Sequence, residues 1–122
     1  MLADLARCSS ANHGDRRGHR PELIVLHYTG MANATLARDR LCDPASDVSA
    51  HWLIDEAGRI EALVAEDRRA WHAGAGAWCG RDDINSRSIG IEIANPGDRP
   101  FPAAQMDSLV LLLGRIMARW SL

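Results

Sequence analysis

The stretch "LIVLHYTG" (23–30) constrains this chain more than any other. Ile24, Val25 and Leu26 form an unbroken apolar run that ends on His27, Tyr28, Thr29 and a chain-reversing Gly30. Such a run fits a strand covered on both faces, as in the sheets of α/β proteins. The strand is expected over roughly 22–27, delivering an imidazole at its C-terminal end. A second strand is expected in "SIGIEIAN" (88–95), where Ile89, Ile91 and Ile93 face one side and Gly90 and Glu92 the other.

The segments between and after these strands fill in the layout. "NATLARDRLCDP" (33–44) reads as a short helix with Asn33 as N-cap and Pro44 just past its end; Leu36, Arg40 and Leu41 leave only one inward stripe. "SAHWLIDEAGRIEALV" (49–64) reads as a hairpin, with arms at 51–55 and 59–64 and a turn at Glu56-Ala57-Gly58. Residues 70–88 read as a long loop carrying two tryptophans and a histidine. A final helix is expected over 101–120, with Pro102 in its first position and Met106, Leu109, Val110, Leu113, Ile116, Met117 and Trp120 as its buried face. Strands interleaved with helices give the expectation of an α/β fold: one domain over 21–122 with a mixed central sheet flanked by helices, after an irregular segment 1–20.

Composition narrows the partners. A formal net charge of −2 over 122 residues gives no reason to expect nucleic acid or an anionic membrane surface. No apolar run approaches the length of a membrane span. All fourteen basic residues are arginine, so lysine chemistry is excluded within these residues. Cys8, Cys42 and Cys79 are odd in number and far apart, which reads as no disulfide framework and a reducing compartment. The N-terminus lacks the layout of a secretory signal. The expected location is the cytoplasm, or the periplasm if a leader has been removed.

His27, His51 and His72 are the candidate imidazoles. Zinc sites take three protein ligands plus water, but these spacings announce no metal, and spacing alone favours hydrogen-bonded structural histidines. Glu92 is disfavoured by strand propensity; it is either solvent-facing or a rigidly held general base whose pKa burial would raise. Trp71 reads as cover for the sheet edge. Trp78, among glycines and alanines, is a candidate ligand contact. Arg81-Asp82-Asp83 reads as a solvated turn.

Taken together, "LIVLHYTGM", "VSAHWLIDEAGRI", "RRAWHAG" and "DINSRSIGIEIANPG" resemble the zinc-dependent N-acetylmuramoyl-L-alanine amidases of the type-2 group, relatives of T7-type lysozyme and the peptidoglycan recognition proteins. The resemblance implies a zinc site in an open groove and hydrolysis of the amide between N-acetylmuramic acid and the L-alanine of the stem peptide. It implies His27 as a zinc ligand and Glu92 as general base or transition-state stabiliser. His72, Trp78 and Asn85 are implied beside the muropeptide, with His51 and Tyr28 behind the metal. It also implies two further zinc ligands in a segment after the last helix, which these residues do not contain. The expectation is therefore a chain lacking that segment, with weak or absent zinc, and a homodimer through the exposed last helix or sheet edge. The alternative is a non-catalytic peptidoglycan-binding module.

Overall fold

A computed structural model describes residues 9–122. In chain order its elements are β1 (His13–Gly14), β2 (Leu23–Tyr28), α1 (Ala34–Cys42), a 3-10 turn (Pro44–Ser46), β3 (Trp52–Ile54), β4 (Ile60–Ala62), β5 (Arg69–Ala70), α2 (Ile84–Arg87), β6 (Ser88–Ile93) and α3 (Ala103–Trp120). Four strands form one mixed sheet in the order β2-β6-β3-β4. β6 runs parallel to both β2 and β3, and β4 closes an antiparallel hairpin with β3. β1 and β5 make a separate antiparallel pair. The segment expected to be irregular thus includes a short strand at 13–14, and the expected long loop contains β5 and α2. Residues 1–8, with Cys8, lie outside the described residues.

The alternation of β6 assigns the two faces. Ile89, Ile91 and Ile93 join Ile54 and Ile60 against Leu109, Leu112 and Ile116 of α3, forming the larger core. On the opposite face Leu53 packs with Ala37 and Leu41 of α1 and with Ala50 and Leu63. Asn33 caps α1 as expected, its Oδ1 accepting from the Leu36 N–H at 2.9 Å.

α3 departs from expectation in two ways. Pro102 is its N-cap rather than its first residue, and the buried stripe is Gln105, Leu109, Leu112 and Ile116. Val110 and Met117, expected inside, are exposed, at 69% and 45%. The helix is apolar around most of its circumference, so period alone did not fix which stripe meets the sheet. The Gln105 amide settles it, donating to Ile54 O and Ala94 O at the sheet end. The cysteines also differ from expectation: Cys42 is disulfide-bonded, and Cys79 is free and exposed.

Ser88, Gly90 and Glu92 share the second face, beside His27 and Leu53 in register. Gly90 is required there. A Cβ on it would lie 2.3 Å from the His72 ring, which rests directly on the bare backbone of β6. Gly90→Ala is expected to displace that ring and destabilise the fold by about 1–3 kcal/mol in chemical denaturation; a variant as stable as the parent would contradict this packing.

Candidate active site

β2 and β6 bring His27 and Glu92 side by side. They are direct neighbours in the parallel register, so both side chains leave the same face. His27 Nδ1 lies 4.0 Å from Glu92 Oε2. Both line a cleft of about 440 Å³ whose walls include Tyr28, Trp71, His72, Ser49 and Arg40.

A chain of hydrogen bonds fixes the imidazoles. Ser88 Oγ donates to Ile84 O at 2.6 Å, so it accepts from His72 Nε2–H at 3.0 Å. His72 Nδ1 is then the acceptor for His27 Nε2–H, also at 3.0 Å. The remaining nitrogen, His27 Nδ1, keeps its lone pair and faces the Glu92 side of the cleft. Burial holds both rings neutral: His27 is lowered, and His72 is brought down to about 3, first by desolvation and then by neighbouring His51 and His27.

Among the described residues nothing donates a hydrogen bond to the Glu92 carboxylate, and desolvation pushes it up to about 7. Such an acid exchanges its proton near neutrality, which suits proton transfer.

The other candidates sit around this pair in different ways. His51 is fully buried beneath His72, with ring centroids 5.9 Å apart. Its Nδ1 accepts from Gly90 N–H and its Nε2–H donates to Arg68 O, so neither nitrogen is open to a ligand. Burial brings it down to about 4. Asn85 spends its amide on the 72–73 backbone, accepting from His72 N–H and Ala73 N–H and donating to Ala73 O. It shapes the loop that carries His72. Trp78, 57% exposed, lines a separate apolar groove along β2 with the 73–77 backbone. Tyr28 is exposed at the cleft mouth, its ring against Gly97.

Sequence reasoning missed Arg16, Ser49, Trp71 and Arg40. Arg16 is a buried hub whose guanidinium donates to Glu66 O, Ser86 O and Ser88 O. No pattern signals such a residue, because its partners are backbone carbonyls. By sequence Trp71 reads as sheet cover, and its position beside a histidine is the only hint of the cleft that it lines.

Among the described residues no three His, Cys, Asp or Glu side chains form a group that could hold a metal ion. His27 offers one lone pair, so the described residues do not fit a three-ligand zinc centre.

A mixed sheet backed by one long helix, with a carboxylate and an imidazole converging in an open cleft on the other face, defines an α/β domain with a candidate site on its second face. The chain belongs to the type-2 amidase family, described as N-acetylmuramoyl-L-alanine amidase, which it matches over residues 17–122. It is 36% identical over 118 residues to N-acetylmuramoyl-L-alanine amidase AmiD of Escherichia coli, covering 83% of this chain and 41% of that protein. The chain thus spans about two fifths of that relative's length. The crystal structure of a selenomethionine AmpD derivative superposes with a TM-score of 0.87 at 29% identity, over 99% of this chain and 78% of that one. AmiD of E. coli in complex with the substrate anhydro-N-acetylmuramic acid-L-Ala-D-γ-Glu-L-Lys superposes with a TM-score of 0.76 at 32% identity, over 95% of this chain and 49% of that one.

The raised Glu92 carboxyl has a consequence for stability. Unfolded, the group titrates near its ordinary value of 4.5. Between that value and about 7 the folded state holds the extra proton, so stability falls as pH rises through this window. Glu92→Gln imitates the protonated acid and removes the loss. The variant is expected to exceed the parent above pH 7 by on the order of 2–3 kcal/mol and to match it at pH 4. Urea titrations at both values check this; a pH-independent offset would count against it.

Proposed function

We propose that this chain hydrolyses the amide between N-acetylmuramic acid and the L-alanine of the stem peptide, in cell-wall recycling or remodelling. One observation carries the reading: in a member of this family, the Glu92 carboxylate and the His27 lone pair meet in one open cleft. Glu92, ionised over part of its population near neutrality, takes a proton from the attacking water. It then returns that proton to the departing alanine nitrogen, so the C–N bond breaks without releasing a free amide anion. The hydrogen-bonded His72 and Ser88 keep His27 oriented throughout. His27 is the residue here that would serve a zinc ion, and zinc supplies an activated water where three protein ligands hold it.

A second reading is a module that binds muropeptides without cleaving them. It is favoured by the lack, among the described residues, of a trio able to hold a metal. Association through the exposed Val110, Leu111 and Met117 of α3, or the open edge of β2, is compatible with either reading. As to compartment, no helix among the described residues is long and apolar enough to cross a membrane. The disulfide at Cys42 removes the cysteine argument for the cytoplasm and supports the periplasmic alternative.

Incubation of the chain with a muropeptide, with and without zinc, followed by mass spectrometry separates the two readings. Hydrolysis predicts release of the free stem peptide and a loss of about a hundredfold or more in Glu92→Gln. Binding with no release supports the module. Release at an unchanged rate in Glu92→Gln would contradict the role given to the carboxylate.

A further inference from the structure

α1 contributes Ala37, Arg40 and Leu41 to the wall of the cleft, and two of that helix's arginines have different fates. Arg38 is drawn to the buried carboxylate of Glu61 on β4, which it grips through two nitrogens. Arg40 is exposed on another flank of the helix and lines the cleft beside Leu41 and Val48. Among the described residues nothing accepts a hydrogen bond from its guanidinium and no acid pairs with it.

The polar side chains around it are already committed. Ser49 Oγ donates to Asn12 O and accepts from Trp71 N–H. Thr29 Oγ1 is tied to Asn95 at the far end of the cleft. Among the described residues that line the cleft, Arg40 is the one permanent cation and Glu92 the one acid. A cleft so arranged suits a ligand that presents an amide at one place and an anion at another.

We propose that Arg40 anchors the free α-carboxylate of the second stem residue and selects muropeptides that carry it. The proposal rests on the muropeptide reading above. In a stem of L-alanine followed by γ-linked D-glutamate, the peptide bond runs through the glutamate side-chain carboxyl. The α-carboxylate is left ionised, one residue beyond the amide to be cut. With that amide held at Glu92, a group lining the same cleft of about 440 Å³ meets the next part of the stem rather than its distant end. A guanidinium matches a carboxylate with two parallel hydrogen bonds, and a carboxamide in its place loses both the charge and one acceptor.

Two synthetic ligands test this: N-acetylmuramyl-L-Ala-D-γ-Glu-L-Lys and its D-isoglutamine analogue, in which the α-carboxylate is a carboxamide. Binding is measured by calorimetry in a Glu92→Gln background, which keeps the ligands intact. With Arg40 present, the acid is expected to bind about tenfold to a hundredfold more tightly than the amide. Arg40→Ala should erase that preference while leaving affinity for the amide unchanged, and Arg40→Lys should restore part of it. A merely structural role would instead weaken both ligands alike. Equal affinity for the two ligands with Arg40 present, or a preference that survives Arg40→Ala, overturns the anchor and leaves the muropeptide reading standing. Binding of neither ligand overturns both.

Discussion

The contact on which the site depends is the His72 ring resting against β6 at Gly90. A strand normally keeps neighbours away from its backbone with side chains on both faces. Here one side chain is missing, and an imidazole takes the space. That places His72 within reach of both Ser88 and His27, and the hydrogen-bond chain then leaves only one arrangement of protons. Two residues further along the same face stands Glu92, whose desolvation raises its pKa. One absent Cβ therefore supports the orientation of the imidazole that faces the acid.

The surroundings hold this contact by tying backbone to backbone. Asn85 fixes residues 72–73 with three hydrogen bonds. Arg16 gathers carbonyls from residues 66, 86 and 88, so the short β1 segment, the hairpin exit and the start of β6 meet at one buried cation. His51 bridges β6 to the chain at Arg68. Losing a shared buried donor leaves several acceptors unsatisfied, which costs more than the net value of the bonds themselves. Rigidity at the site thus comes from polar hubs on its rim, while the apolar core beneath α3 supplies the platform.

The sequence made the platform readable and the hubs unreadable. The apolar run of β2, the alternation in β6, the Asn33 cap and the turn before Gly58 each have a local period or a local chemistry. Their elements appear within a residue or two of the expected places. β1 and β5 have two residues each, too few to show any period. The buried stripe of α3 was misassigned because Val110 and Met117 satisfy helical spacing as well as Leu112 does. At the site, the sequence paired Glu92 with Gly90 on one face but gave no sign that Gly90 was the seat of a ring. It named His72 and Asn85 without showing that Asn85 serves the loop. Arg40 looked like an ordinary helix surface residue, since which flank of α1 borders a cleft is decided by tertiary packing.

The neutral imidazole chain is the claim most directly open to measurement, through long-range proton–nitrogen NMR of the histidine rings. Near pH 7.5 His27 is expected to carry its proton on Nε2 with Nδ1 bare, and His72 to stay uncharged, its proton also on Nε2, down to pH 5.5. An imidazolium signal from His72 at pH 5.5, or a His27 ring protonated on Nδ1 at pH 7.5, would contradict it.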